Sequence, residues 1–278
     1  MAYLKTQVDM GPRVPGTDVH SLCGDWLAGK LKGMGAQITD KPVWVVNPAT
    51  GQPVMVRNIL GRFNPDATNR IIVLAHYDTR PQADSDPDPI NRTKPIDGAN
   101  DGASGVAVAL ELARNAEKLP AHSGLDILLV DMEDSGTHNN DDSWCLGSER
   151  WVSHDMPYTP QNLPRFGILL DMVGGRNASF PREYFSERYA SPIYDVVHRA
   201  AARTGHANLF VNKIGAPVTD DHLPFIKAGI PTVDIIDMRP DGFNPTWHTL
   251  QDNYDNIDPE TIRAVGEVIT EVIFNTPL

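Results

Sequence analysis

Cysteine is scarce here: Cys23 and Cys145 are the chain's two, far apart and in no metal-like spacing. They give no cysteine-held metal centre and say little about redox compartment, so both read as unpaired thiols used as small hydrophobes. Positive charge is short too. Against 36 Asp and Glu stand 24 Lys and Arg, for a formal charge of −12 and a pI near 5.1. That balance argues against nucleic acid and against anionic membrane surfaces, and fits a small or peptide substrate better. No apolar run is long enough to span a bilayer, and the opening M-A-Y-L-K-T-Q lacks the apolar stretch of a signal peptide. Internal repeats and low-complexity linkers are missing as well. What is present is 278 residues of 41% apolar content, enough for one large core, so residues 1–278 are expected to form a single domain.

Strand-like and helix-like segments alternate along the chain. Residues 17–34 place Leu22, Trp26, Leu27, Leu31 and Met34 at near-helical spacing, after the Pro- and Gly-rich loop G-P-R-V-P-G. Residues 43–46 and 53–60 read as strands, 71–78 as a buried strand, and 103–119 as a helix that buries Val106, Val108, Leu110, Leu112 and Ala113. Further strands are expected at 125–130, 166–171 and after Pro231, with helices at 192–204 and from Pro259 to about Phe274. This order predicts an α/β three-layer sandwich whose central mixed sheet is largely parallel and flanked by helices.

The most informative stretch is L-D-I-L-L-V-D-M-E-D, residues 125–134, an apolar run that stops in a cluster of acids. In an open α/β sheet, residues just past the carboxyl ends of the strands face the ligand crevice. Glu133 and Asp134 are therefore placed at a site, and adjacent residues pointing apart can divide cation binding from proton transfer. Two other strand ends supply His76, in I-I-V-L-A-H-Y-D, and Asp171, in F-G-I-L-L-D. Asp101 of G-A-N-D-G-A-S-G and His248 of T-W-H-T complete a mixture of oxygen and nitrogen donors that suits zinc. Asp101, Asp134 and His248 make a three-ligand set with a fourth position open, Glu133 is the candidate proton shuttle, and His76 and Asp171, with Asp101 as bridge, could build a second metal site. Asp101 or Ser104 is expected to cap the helix that follows. The acidic loop D-T-R-P-Q-A-D-S-D-P-D-P, residues 78–89, does not follow an EF-hand order; it is read as solvated and given no chemistry, and His138 is read as a solvated loop histidine.

The series A-H-Y-D-T-R, G-A-N-D-G-A-S-G-V, D-M-E-D, L-L-D-M-V-G, D-D-H-L-P-F and W-H-T-L-Q-D-N resembles the M28 zinc aminopeptidase superfamily. Within it, the chain is most similar to the glutaminyl cyclases, in particular the bacterial type with a D-P-D-P loop after H-Y-D-T-R-P. The resemblance runs from G-P-R-V-P-G to the last helix, and it implies a zinc-dependent exopeptidase-like fold. By position it assigns zinc to Asp101, Asp134 and His248 and the general acid/base role to Glu133. Many relatives carry Glu where this chain has Asp134, a shorter arm. In two-zinc aminopeptidases the positions of His76 and Asp171 bind the second metal. In the cyclases one zinc suffices, and Asp171 joins Asp220 in a hydrogen-bond chain with Glu133. Trp247 matches the aromatic wall of the cyclase pocket, which suits a glutaminyl side chain held against an apolar surface.

The implied activity is that of a glutaminyl-peptide cyclotransferase with a single catalytic zinc, converting N-terminal glutamine of peptides or proteins to pyroglutamate with release of ammonia. The alternative is a two-zinc aminopeptidase, and a third reading is a catalytically silent relative that binds peptide N-termini. Bacterial cyclases of this type are exported, so the resemblance implies a periplasmic or secreted protein whose export signal lies outside this sequence.

Overall fold

The computed structural model describes residues 1–48 and 50–275. Helices α1 (Ala2–Met10) and α2 (Asp18–Gly33) lead into strands β1 (Gln37–Asp40), β2 (Val43–Val46), β3 (Pro53–Val56), β4 (Ile59–Phe63) and β5 (Asn69–His76). Next come α3 (Ala103–Arg114), β6 (Ser123–Val130), α4 (Leu146–Arg150), β7 (Phe166–Asp171), β8 (Phe180–Arg182) and α5 (Tyr184–Thr204). The chain continues through β9 (Phe210–Ile214), α6 (His222–Lys227), β10 (Thr232–Ile236), β11 (Met238–Arg239), β12 (Gly242–Phe243) and α7 (Pro259–Thr270).

The main sheet has six strands in the order β1-β4-β6-β5-β7-β10. From β6 to β10 all neighbours are parallel, while β4 and β1 add antiparallel strands at one edge. Side chains on a strand alternate between faces, and here that divides the apolar runs between two cores. Ile71, Val73 and Ala75 of β5, with Leu125, Ile127 and Leu129 of β6, join α2, α3, α5 and α7 in the larger one. Ile72, Leu74, Leu128, Val130 and Leu169 face the other way, toward Trp151, Tyr158 and Phe225. The result is the expected three-layer α/β sandwich. Asp126 breaks the apolar run on that second face, where it is fully buried against Arg70 and Tyr158.

Several local expectations need correction. Residues 53–60 are two strands rather than one, because Arg57 and Asn58 turn out of the ladder to bond Asp131: Arg57 N–H donates to Asp131 Oδ2 at 2.8 Å, and Asp131 N–H to Asn58 Oδ1 at 3.0 Å. Helix α5 starts at Tyr184 instead of 192, since Glu183 caps it by accepting from the N–H groups of Phe185 and Ser186, and Pro192 is accommodated after non-helical backbone at Ala190. In α2, Leu22 faces solvent while His20, Cys23, Leu27 and Leu31 are buried. Neither Asp101 nor Ser104 caps α3: the residue before the helix is Gly102, with φ +94°, and Ser104 Oγ instead donates to Asn100 O and accepts from Val173 N–H. Helix α1 and strand β1 carry too short an apolar pattern to be read from sequence. Among the described residues, no helix is long and apolar enough to cross a membrane.

Candidate active site

Because β5, β6 and β7 run parallel, their carboxyl ends lie on one edge of the sheet and deliver His76, the acids after Val130 and Asp171 to the same place. The backbone there is held in unusual conformations. Met132, Cys145, Met172 and His248 all have left-handed φ, between 48° and 56°, which bulky residues rarely adopt and which tends to collect at functional sites. Two buried carboxylates hold the loops in register. Asp78 accepts the backbone N–H groups of Glu133 and Asp134, each at 3.2 Å, and Asp252 accepts those of Asn100 and Asp101 at 2.7 and 3.0 Å. Gly102 supplies the turn after Asp101; a Cβ there would come within 3.0 Å of Asp78 O and 3.1 Å of His76 Cε1.

The expected ligands converge. Donor atoms of Asp101, Asp134 and His248 lie within 4.8 Å of one another, with all three residues buried. His248 Nε2 is 3.0 Å from Asp134 Oδ1 and 3.6 Å from Asp101 Oδ2. A second triad shares Asp101: His76 Nε2 lies 3.0 Å from Asp101 Oδ1 and 3.1 Å from Asp171 Oδ1. Both imidazoles are drawn toward positive charge. Burial alone would lower His248, but Asp134, Asp84 and Asp101 raise it to about 10, and Asp101, Asp171 and Asp78 likewise lift His76 well above its ordinary value.

These residues fit a divalent cation. Three buried donors of the oxygen and nitrogen type converge, Asp134 Oδ2 is buried without a hydrogen-bond partner among the described residues, and the surrounding acids favour positive charge where the donors meet. Asp101, Asp134 and His248 would hold one zinc, and the geometry of His76, Asp101 and Asp171 would accept a second.

Beside the triads lies a pocket of about 280 Å³ lined by Glu133, Trp144, Asp171, Asp220, Phe243 and Trp247 among others. Glu133 opens partly onto it. Its carboxyl is raised well above the ordinary range, first by burial and then by the charges of Asp220, Asp134 and Asp221 against the opposing pull of His76. Burial thus outweighs the like-charge effect of Asp220. A carboxylate oxygen of Glu133, one of Asp220 and Sγ of Cys145 lie within 4.8 Å of one another, and the Cys145 thiol donates to Glu133 Oε1 at 3.6 Å. The expected chain from Glu133 through Asp220 to Asp171 is not closed by hydrogen bonds: Asp220 Oδ2 has no hydrogen-bond partner among the described residues and Asp171 bonds His76. Asp220 is nonetheless raised well above the ordinary carboxylate range, first by burial and then by the charge of Asp171. Trp247 stacks on His248 with ring centroids 3.8 Å apart and packs against Phe243 at 5.0 Å, and both aromatic rings line the pocket.

The loop at residues 78–89 is only in part the solvated segment that its composition suggests: Pro81, Gln82, Ser85 and residues 87–89 are exposed, but the rest turn inward. Asp78, Thr79, Arg80 and Asp86 are buried, and Asp84 contacts both His248 and His138. Sequence reading also passed over Trp144 and Asp252, and it took Cys145 for a small hydrophobe although its thiol lies against Glu133. The signal for Asp252 was available in W-H-T-L-Q-D-N, an acid a short loop beyond His248; Trp144 and Cys145 had none beyond their position ahead of α4.

The profile of Peptidase family M28 matches residues 58–273. A crystal structure of Bacteroides thetaiotaomicron glutaminyl cyclase bound to N-acetylhistamine is 45% identical, with a TM-score of 0.94, covering 99% of this chain and 96% of that one. A Zn-dependent exopeptidase from Parabacteroides distasonis is 44% identical, with a TM-score of 0.94 and the same coverage of 99% and 96%. The glutaminyl-peptide cyclotransferase of the snake Boiga irregularis is 27% identical over 92% of this chain and 75% of its own length. With that share of residues matched and the motifs gathered at one sheet edge, the chain belongs to peptidase family M28, alongside the bacterial glutaminyl cyclases.

Proposed function

We propose that the chain is a zinc-dependent glutaminyl-peptide cyclotransferase with residues 1–278 as one catalytic domain, acting on peptides or proteins with N-terminal glutamine and working in the periplasm or outside the cell. What carries this reading is the joining of a three-donor cation site, Asp101, Asp134 and His248, to a small pocket walled by Trp247 and bearing Glu133. Bound there, one zinc would supply polarisation of the substrate's side-chain amide oxygen and stabilise the charge developing on it.

The chain's own residues do the rest. Trp247 and Phe243 hold the glutaminyl side chain curled against an apolar wall, so that its α-amine reaches its own amide carbon and the reaction becomes intramolecular. The new C–N bond closes a five-membered lactam as the bond to the amide nitrogen breaks. Glu133 takes a proton from the attacking amine and passes it to the departing nitrogen, which leaves as ammonia. Its raised proton affinity, from burial and from Asp220, lets it hold that proton between the two events. Asp171 acts behind Asp220 through charge.

A two-zinc aminopeptidase is favoured by one observation, the complete His76, Asp101 and Asp171 triad beside the first. A paired assay separates the readings. Ammonia and pyroglutamate from a glutaminyl dipeptide, with about one zinc per chain, support the cyclotransferase; amino-acid release from leucyl and alanyl substrates with about two would replace it by the aminopeptidase. Binding of glutaminyl peptides without either reaction would point to a silent relative.

A further inference from the structure

Asp84 belongs to the acidic loop that sequence reading left without chemistry, yet it reaches the imidazole of His248 from behind. Its Oδ1 lies 3.2 Å from His248 Nδ1, a buried nitrogen that makes no hydrogen bond among the described residues and has Asp84 as the carboxylate facing it. The opposite nitrogen, Nε2, faces Asp134 and Asp101. The two ring nitrogens are thus divided between an outer carboxylate and the donor triad.

Asp84 is itself held from the protein side. Arg80, with a side chain only 1% exposed, donates from Nη2 to Asp84 Oδ2 at 2.5 Å and from Nε to Oδ1 at 3.3 Å. The same guanidinium donates from Nη1 to the backbone carbonyls of Asp134 at 2.9 Å and Gly136 at 2.8 Å, and lies over the Trp144 ring at 4.7 Å. One buried arginine therefore ties Asp84 to the segment that carries Asp134. On the other side the acidic loop is laced to the His248 loop: Ser85 N–H donates to His248 O at 3.1 Å, and Leu250 N–H to Asp86 Oδ2 at 3.0 Å. Trp247 covers one face of the imidazole, so the ring has little freedom to turn away.

We propose that Asp84 is a positioning residue for the cation site, fixing the Nδ1–H tautomer and ring orientation of His248 so that the Nε2 lone pair points at the metal, with Arg80 as its anchor. Outer carboxylates of this kind orient ligating histidines and raise their basicity, and their loss typically weakens metal binding about 10- to 100-fold. The inference rests on the zinc reading above, and the experiment keeps the two apart. Zinc affinity is measured by competition with a chromogenic chelator for wild type, D84A and D84N, together with thermal unfolding of the metal-free proteins and the visible spectrum after cobalt(II) substitution. D84N keeps the volume and one acceptor oxygen, which guards against simple loss of the fold.

The expected result is zinc affinity weakened about 10- to 100-fold in D84A and less in D84N, with shifted cobalt bands in both and metal-free unfolding near wild type for D84N. Affinity within about twofold of wild type and unchanged cobalt bands in both variants would overturn the role of Asp84 while leaving the zinc site standing. Wild-type protein that binds neither metal would overturn the zinc reading and this inference with it.

Discussion

Asp252 accepts the backbone N–H of Asp101 at 3.0 Å, so one buried carboxylate places another without touching its side chain. Asp252 also takes the N–H of Asn100, at 2.7 Å, and through both it locks the turn that presents Asp101 to the donor triad. The Asp252→Ala variant leaves both donors buried and unpaired. Zinc affinity should fall about 10- to 100-fold, as for other supports of a metal ligand. A competition titration showing wild-type affinity would mean that the turn holds without Asp252.

Glu133 is the group asked to move the proton, and its neighbour Asp134 the one asked to hold metal. Replacing Glu133 by Gln keeps shape and removes the basic oxygen. Zinc content should stay at the wild-type level while turnover of a glutaminyl dipeptide drops about 100- to 10,000-fold, the usual range for a general acid/base. Retained turnover in a metal-replete E133Q protein would remove Glu133 from the chemistry.

Gly102 has φ +94° and little room for a side chain, since a Cβ would approach Asp78 O and His76 Cε1 at 3.0 and 3.1 Å and push both back by a few tenths of an ångström. A Gly102→Ala change forces a non-glycine residue into the left-handed region beside two of the site's supports. The expected cost is about 1–3 kcal/mol of stability with weakened zinc binding. Chemical unfolding at wild-type midpoint would show that the turn can relax.

How much of this was readable in advance follows from range. The sheet ends that deliver His76, Glu133, Asp134 and Asp171 were legible because short apolar runs ending in acids carry a local signal. The sandwich was legible from alternation of strands and helices. The roles of Asp78, Asp84 and Asp252 were not, because each acts on a residue at least 55 positions away, through backbone N–H groups or the back of an imidazole. Composition also misled: a Pro- and Asp-rich loop looks solvated, while Arg80 pins this one into the site by hydrogen bonds that no periodicity encodes.

Asp126 sits in the first half of β6, away from the carboxyl end that carries the site, and is wholly buried. Arg70 Nε donates to its Oδ2 at 2.8 Å, and the Tyr158 hydroxyl donates to the same oxygen. Removing only the acid, in Asp126→Ala, strands a buried guanidinium and should cost about 3–5 kcal/mol. Zinc affinity of the folded fraction should be unchanged, because nothing in this cluster touches the triads. Denaturant unfolding beside a zinc titration checks both halves, and a loss under about 1 kcal/mol would show that Arg70 finds other acceptors among its carbonyl partners.

Asp234, fully buried on β10, has neither carboxylate oxygen in a hydrogen bond among the described residues. Burial first, then the charges of Asp220, Glu183 and Asp171, raise it well above the ordinary carboxylate range. The sign for stability follows. Below about pH 3.9 the group is protonated in folded and unfolded chains alike and contributes nothing. As pH rises past that value the unfolded chain releases the proton while the folded protein keeps it, so the unfolded state is favoured increasingly up to the raised folded value. An Asp234→Asn variant removes this cost while keeping the shape. It should be more stable than wild type at pH 7 by about 1–3 kcal/mol, with a gain that shrinks steadily toward pH 4. Urea unfolding of both proteins across that range tests the argument: a difference that does not change with pH, or an Asn protein less stable at neutral pH, would mean that His222, whose Nδ1 lies 3.8 Å from Asp234 Oδ2, already compensates the charge.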